Sequence, residues 1–398
     1  MEEDQIKEES NKLCSGKAIL AIIIFAIAII ACVVVIVVLV LKTGNNMNSY
    51  YLSDKICEKN ETGYEECYRK INVNMEHYIS ELDEKVVRTH VRYENRYGIE
   101  LAADLYTPKN LDKSKKYIGI IIGPPYGGVK EQGPSVYANY LTKLEKNYVC
   151  LAFDPSFNGE SGGKKRKVSS SDIFVEDFSA GVDYLGTLSY IDRDKIVGIG
   201  ICGSGGFLLG AAAIDSRIKA VISVVMYDIP KINHKDEKWN EMLNNLSIAR
   251  WSDVNNGKEE VIDLYKSDRV YYNDSLPSFP QDPEFDKYWK LFYTTERGHH
   301  PLSTGGFTTT SQFSLANLQV TDNIDKIKSP ILFVTSKKAH SFNYTNDTYY
   351  YLKEKVQKNN VFISNKTVAD HIDFYDKINI IPFDEIVSFL DSNLNNNK

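Results

Sequence analysis

The sequence is poor in cysteine and has no excess of basic residues. Its 47 Lys and Arg are outnumbered by 53 Asp and Glu, and this acidic balance argues against a nucleic-acid partner, which requires a basic face. Six cysteines in 398 residues are too few for a fold built on disulfides. Aromatic residues are plentiful, with 26 Tyr and 17 Phe, so a disordered chain is also excluded. The length fits one large globular domain or two average ones.

One long apolar run near the N-terminus departs from this globular pattern. Residues 18–41 contain no charge, proline or glycine, and they lie between a polar tail at 1–17 and Lys42. As a helix, the run would extend over roughly 36 Å, enough to cross a hydrocarbon core of about 30 Å. A cleaved signal peptide has a shorter apolar region and a small-residue cleavage site. The run therefore predicts a single transmembrane helix that anchors the chain in a lipid bilayer.

The polar segment after this helix, residues 42–84, is typical of a stalk and contains Cys57 and Cys67. Lysines in the N-terminal tail favour a cytoplasmic N-terminus by the positive-inside rule. The rest of the chain would then be extracytoplasmic or lumenal, where Cys57 and Cys67 would form a disulfide. The alternative is that they are two unrelated thiols.

From residue 85 onward, strand-like and helix-like patterns alternate. Short apolar runs that read as strands are Tyr117–Ile122, Tyr148–Phe153, Lys195–Ile201, Ile218–Val225, Pro330–Thr335 and Val361–Ser364. Helical patterns between them predict a mostly parallel sheet with helices on both faces. The alternation is interrupted at about 229–328. We therefore expect one α/β domain, residues 85–395, with a cap insertion there.

The stretch KIVGIGICGSGGF at 195–207 predicts a strand, a tight turn of small residues and a helix. This is the arrangement of a nucleophile elbow, in which small residues flank a strained nucleophile on both sides. Either Cys202 or Ser204 could be central. Cys202 is favoured because the predicted strand ends immediately before it. A helix N-terminus behind the sulfur would lower the pKa of the thiol.

Cofactor motifs are not supported by the sequence. Gly198, Gly200 and Gly203 fit G-x-G-x-x-G, but the positions near Val221, where an acidic residue should hold a ribose, are mostly apolar. No Gly-rich segment has the complete P-loop pattern. The seven histidines form no metal-binding motif. We predict neither a cofactor nor a metal.

Residues 85–390 resemble α/β-hydrolases of the dienelactone-hydrolase-like group, in a bacterial and fungal branch. The matching stretches follow one another in the family's order: GPPYGGVKEQ, LAFDPSFNGESGG, GICGSGGF, RIKAVISVVMYD, TTERGHHP, AHS and HIDFYD. The family usually has His where this chain has Pro124. The resemblance implies the α/β-hydrolase fold and a nucleophile, base, acid and oxyanion hole. It does not specify a substrate.

The roles implied by this resemblance fall on particular residues. The backbone N–H of Gly203 and that of Tyr126 or Gly127 would form the oxyanion hole, because Pro124 and Pro125 have no N–H. We choose Tyr126. Asp154 is expected to brace a loop.

The base and the acid are assigned from their order in the chain. His371 follows the final strand, where this fold places the base. The usual acid position after Pro330–Thr335 has no carboxylate. Asp228, at the end of the strand before the insertion, is the preferred acid, and Asp347 is the alternative.

These assignments predict a membrane-anchored hydrolase of a small-molecule ester, thioester or lactone. Cys202 would attack the carbonyl carbon, and His371 would accept and return the proton. Two alternatives stay open: a catalytically inactive hydrolase fold that acts as a binding module, and a peptidase on the same fold.

Overall fold

The computed structural model describes residues 57–59, 65–67, 77–230, 239–257, 261–263, 289, 292–295, 297–303 and 305–394. The predicted tail at 1–17, the membrane helix at 18–41 and most of the stalk lie outside these residues. Within the described part of the chain, no helix combines the length and the apolar character needed to cross a bilayer.

The central feature is an eight-stranded sheet. Two short strands precede it, β1 (Cys57–Lys59) and β2 (Glu65–Cys67), which pair antiparallel with Cys57 opposite Cys67. The sheet strands in chain order are β3 (Val86–Glu94), β4 (Glu100–Pro108), β5 (Tyr117–Gly123), β6 (Tyr148–Phe153), β7 (Ile191–Ile201), β8 (Ile218–Val224), β11 (Ile331–Val334) and β12 (Val361–Ser364), with β9 (Val261–Asp263) and β10 (Gly306–Thr308) forming a separate pair. Their spatial order is β12-β11-β8-β7-β5-β6-β4-β3. The β3–β4 and β4–β6 pairs are antiparallel, and the other neighbouring pairs of this sheet are parallel.

Helices cover both faces of this sheet, as the alternating pattern predicts. The α-helices, including those of the insertion, are in chain order α1 (Gly133–Lys143), α2 (Ser171–Thr187), α3 (Gly203–Ile214), α4 (Trp239–Asn256), α5 (Gln312–Asn317), α6 (Phe342–Tyr350), α7 (Asp373–Asp376) and α8 (Phe383–Leu394). Apolar side chains of α1 and α8 pack in one buried cluster, and those of α2 and α3 pack in another. Because the central strands are buried on both faces, they read as continuous apolar runs in the sequence.

Helix α3 begins at Gly203, immediately after Cys202, and α6 begins at Phe342, immediately after Ser341. The predicted insertion at 229–328 contains, among its described residues, helices α4 and α5 and the β9–β10 pair. Because β5, β7, β8 and β11 run parallel, their carboxyl ends lie at one edge of the sheet. Ligands bind at this edge in parallel sheets.

Candidate active site

Cys202 lies at a sharp turn between β7 and α3 and has a strained backbone. Its φ is +57° and its ψ is −118°, a conformation that costs a non-glycine residue on the order of 1–3 kcal/mol. The surrounding backbone holds it there. The Cys202 N–H donates to the Val224 carbonyl at 2.9 Å, and the Cys202 carbonyl accepts from the Tyr227 N–H at 3.0 Å. This is the geometry of a nucleophile elbow.

The flanking residues place Cys202, rather than Ser204, at this elbow. A Cβ on Gly200 would lie 2.3 Å from the carbonyl oxygen of Ser204, so only glycine fits before the turn. Ser204 lies inside the first turn of α3 and is buried. Its hydroxyl packs against the end of β5, where a Cβ on Gly123 would approach it to 2.8 Å.

Two backbone donors converge on the sulfur of Cys202. They are the N–H groups of Gly203 and Tyr126, the residues predicted for the oxyanion hole. A Cβ on Gly203 would lie 2.8 Å from the Cβ of Tyr126, so a glycine lets the two segments approach. The structure therefore brings together the candidate nucleophile and both candidate oxyanion donors.

The loop that carries Tyr126 is anchored by the side chain of Asp154, which is fully buried. Its carboxylate accepts from the backbone N–H groups of Lys130 and Glu160, each at 2.8 Å. The ammonium group of Lys130 lies 3.3 Å from Asp154 and 2.7 Å from Glu160. Asp154 thus braces the loop, as predicted.

His371 is buried, and hydrogen bonds on both ring nitrogens hold it in place. Its Nδ1 lies 2.9 Å from the Ser341 Oγ, and its Nε2 lies 3.0 Å from the Tyr375 hydroxyl. Ser341 also donates to the carbonyl of Val225 at 2.9 Å.

These contacts determine the tautomer of His371. The Val225 carbonyl can only accept, so it takes the single hydroxyl proton of Ser341. His371 must then donate from Nδ1 to Ser341, which leaves the Nε2 lone pair exposed to a donor. This is the tautomer that a general base requires.

The structure does not bring the predicted acid, Asp228, into hydrogen-bond contact with this imidazole. Asp228 is buried, and its carboxylate accepts a hydrogen bond from Thr321 at 2.8 Å. Nδ1 of His371 is bonded to Ser341 instead. The alternative, Asp347, is exposed on α6. The partner of the base is therefore a neutral hydroxyl.

Ser341 lies between β11 and α6, the connection in which the sequence placed the usual acid position. The sequence did not predict this role for Ser341, because a carboxylate is the group expected to orient a catalytic histidine. The signal was present: Ser341 ends the AHS stretch that matches the family.

The electrostatics of the site favour a neutral thiol and a neutral imidazole. Burial raises the pKa of the Cys202 thiol. The hydrogen-bond contact with the Tyr375 hydroxyl and the N–H groups of Gly203 and Tyr126, all of which can stabilise a thiolate, oppose the shift. Burial, together with the nearby charge of His340, lowers the pKa of His371 well below its usual value. The His340 ring stacks on the His371 ring at 3.9 Å. The N–H of Gly203, at the N-terminus of α3, does lower the pKa of Cys202 as the sequence predicted, but desolvation is larger and the net shift is upward.

Two adjacent histidines of the TTERGHHP stretch, His299 and His300, are also buried. His299 Nδ1 lies 3.0 Å from the carbonyl of Tyr293, and His300 Nε2 lies 3.7 Å from the carboxylate of Glu131. Tyr293 and Glu131 are themselves buried, so both imidazoles face the protein interior. Neither is hydrogen-bonded to Cys202 or His371 among the contacts of the described residues.

Comparison with known proteins agrees with this architecture. No known family profile matches the sequence. The uncharacterized protein PA2218 of Pseudomonas aeruginosa is 38% identical over 324 residues, which cover 79% of this chain and 82% of that protein. Its crystal structure superposes with a TM-score of 0.73 at 35% identity, covering 82% of this chain and 99% of that chain. The uncharacterized protein YcjY of Escherichia coli is 30% identical over 71% of this chain and 90% of its own length.

More distant matches agree on the fold. The α/β hydrolase GrgF from Penicillium superposes with a TM-score of 0.61 at 17% identity, over 78% of this chain and 99% of that chain. A shorter sequence match, 28% identical over 34% of this chain and 42% of the relative, is a thiohydrolase of Eupenicillium brefeldianum. The strand order and these structures establish the α/β-hydrolase fold.

Proposed function

Because the chain belongs to the family of PA2218 and YcjY and has the α/β-hydrolase fold, we propose that it is a hydrolase that forms an acyl-enzyme on Cys202. The substrate class is a small-molecule ester, thioester or lactone, as in dienelactone-hydrolase-like enzymes. The observation that carries the proposal is the convergence of Gly203 N–H and Tyr126 N–H on a sulfur presented by a strained elbow.

The first half of the reaction transfers the acyl group to the enzyme. The sulfur of Cys202 forms a bond to the carbonyl carbon, and the thiol proton passes to the Nε2 side of His371. The negative charge that develops on the carbonyl oxygen is stabilised by the two backbone N–H groups. When the intermediate collapses, the leaving group departs with a proton returned from the imidazolium.

The second half releases the acyl group. Water donates a proton toward the neutral Nε2 of His371 while its oxygen attacks the acyl carbon, and the same two N–H groups stabilise the second oxyanion. The thiolate leaves and is reprotonated. A thioester substrate is supported by the name of the relative from Eupenicillium brefeldianum, a thiohydrolase.

Substitution of the two candidate nucleophiles tests this proposal. Cys202→Ala should lower turnover of a 4-nitrophenyl ester and an acyl thioester by at least about 1,000-fold, whereas Ser204→Ala should keep a substantial fraction of the activity. Mass spectrometry of a rapidly quenched reaction should locate the acyl group on Cys202. An active Cys202→Ala with an inactive Ser204→Ala would reassign the nucleophile. Turnover of peptides but not esters would favour the peptidase, and the absence of any turnover or adduct would favour a binding module.

We further propose that residues 18–41 anchor the enzyme in a bilayer with the catalytic domain outside the cytoplasm. The support is the uninterrupted apolar run. We also propose a disulfide between Cys57 and Cys67. These two residues lie directly opposite each other in the β1–β2 pair, and directly opposed residues have the Cα separation that a disulfide needs. Extraction of membranes with alkaline carbonate should leave the full chain in the pellet, and a variant without residues 1–42 in the supernatant. Non-reducing peptide mapping should recover the two cysteines linked. Full release of the intact chain would refute the anchor.

A further inference from the structure

Tyr375 stands between the candidate nucleophile and the candidate base. Its hydroxyl oxygen lies 3.0 Å from His371 Nε2 and also makes a hydrogen bond with the thiol of Cys202. The hydrogen-bonding partner of Nε2 among the described residues is therefore this phenol rather than the sulfur. In the proposed reaction, the thiol proton has to travel from Cys202 to His371 past this oxygen.

The directions of these hydrogen bonds follow from a single backbone acceptor. The carbonyl of Val225 takes the proton of Ser341, and His371 therefore donates from Nδ1 and accepts at Nε2. Tyr375 must then donate its only proton to Nε2. Its oxygen keeps lone pairs, and one of them can accept the S–H of Cys202. The thiol, the phenol, the imidazole and the Ser341 hydroxyl thus each donate to the next group, and the series ends at the Val225 carbonyl.

The position of Tyr375 is fixed by packing and by ion pairs. Its ring is 1% exposed and packs edge-on against Phe292, with ring centroids 5.4 Å apart. It belongs to helix α7, whose Asp373 and Asp376 accept hydrogen bonds from Arg297 at 2.7–2.8 Å. A swing of the phenol away from the site would require this packing to open. Tyr375 is therefore held in the bridging position by its surroundings and is not a surface side chain that can rotate freely.

We propose that Tyr375 relays the proton between Cys202 and His371, an inference that rests on the acyl-enzyme function proposed above. As sulfur bonds to the acyl carbon, the S–H bond breaks and its proton moves to the Tyr375 oxygen. In the same step the Tyr375 O–H bond breaks, and that proton moves to Nε2. The phenol is thus neutral before and after, His371 becomes an imidazolium, and the negative charge resides on the carbonyl oxygen at Gly203 and Tyr126.

The return path reverses these bonds. The imidazolium releases its Nε2 proton to the Tyr375 oxygen, and Tyr375 gives its own proton to the departing alkoxide, thiolate or enolate. A concerted relay avoids a free phenolate in a buried site, where an additional desolvated charge is costly. It also lets a neutral thiol and a neutral imidazole react without first forming an ion pair in a buried site.

The decisive measurement is a proton inventory of the acylation step, made on the full-length protein with a 4-nitrophenyl ester in mixtures of H₂O and D₂O. Two protons in flight give a curved dependence of rate on deuterium fraction, and one proton gives a straight line. Wild type should give the curve. Tyr375→Phe should give a straight line with acylation slowed about 100-fold and KM little changed. Tyr344→Phe, a control tyrosine outside the hydrogen bonds of His371, should behave as wild type.

Each outcome decides the question. Acylation by Tyr375→Phe at the wild-type rate, or a straight line for wild type, would overturn the relay. If Tyr375→Phe does not fold, the wild-type inventory decides alone. Cys202→Ala, measured in parallel, separates the two proposals. An active Cys202→Ala rejects the acyl-enzyme function and the relay with it, whereas an inactive Cys202→Ala together with a fully active Tyr375→Phe rejects the relay alone.

Discussion

Arg297 donates two hydrogen bonds of 2.7 Å to the carboxylate of Asp376. A third, of 2.8 Å, goes to Asp373 on the same short helix, α7. The sequence stretches TTERGHHP and HIDFYD, which contain these residues, lie about 75 positions apart and meet here. Because α7 carries Tyr375 and directly follows His371, this ion-pair cluster positions the base side of the site.

Loss of this cluster should reduce turnover without removing a group that touches substrate. Arg297→Ala is expected to lower kcat about 10-fold or more, since small displacements of catalytic groups are costly. Arg297→Lys should be intermediate because lysine cannot make the paired bonds. Arg217→Ala is the matched control, since Arg217 bonds Asp215 and Asp183 at the exposed start of β8. Unchanged kcat in Arg297→Ala, measured by steady-state kinetics, would contradict the positioning role.

Substitutions around Nδ1 of His371 should distinguish Ser341 from the carboxylates. Ser341→Ala removes the acceptor that sets the tautomer and should lower kcat/KM about 10-fold, the scale of one neutral hydrogen bond. Asp228→Asn keeps an oxygen that can accept from Thr321 and should remain within about 2-fold of wild type, as should Asp347→Asn. A loss of several orders of magnitude in Asp228→Asn, the result expected of a triad acid, would restore the sequence-based assignment.

The parts of the fold that the sequence predicted are those set by local pattern. Strands such as Tyr148–Phe153 are buried on both faces and therefore stand out as apolar runs. The turn at Cys202 was recognisable because close backbone approach at Gly200 admits only glycine. Such signals depend on residues adjacent in the chain, and a sequence displays them directly.

The parts that were missed depend on contacts between distant residues. Ser341 and Tyr375 are ordinary residue types, and their importance comes from lying beside His371 in three dimensions. The pKa of Cys202 was misjudged for the same reason. A helix N-terminus can be read from sequence, but the burial that outweighs it comes from the surrounding chain segments.

The elbow should tolerate no side chain at Gly200. In Gly200→Ala, the new Cβ would lie 2.3 Å from the backbone of Ser204, and neither strand β7 nor helix α3 can move away cheaply. We expect a loss of about 3 kcal/mol or more in the free energy of unfolding, from overpacking and backbone strain. Gly186→Ala is the control, because it lies in helix α2 with its nearest neighbour at 3.7 Å. It should be neutral or stabilising by about 0.5–1 kcal/mol. Urea denaturation measures both, and a Gly200→Ala as stable as wild type would contradict the close-packed turn.

The pH dependence of turnover should be unusually flat on the acid side. Protonation of Nε2 removes the base, and burial with the charge of His340 holds the pKa of His371 well below 6.5. The acid limb of kcat/KM should therefore lie below pH 6.5 rather than near it. In His340→Ala the repulsion is lost and water gains access to the stacked face, and both changes raise the pKa of His371. The acid limb should then move to higher pH. His90→Ala is the control, since that half-exposed ring bonds Asp104 on β4 and should not shift the profile. A His340→Ala profile that moves to lower pH, or a wild-type limb at or above pH 6.5, would show that the imidazole is not held neutral in this way.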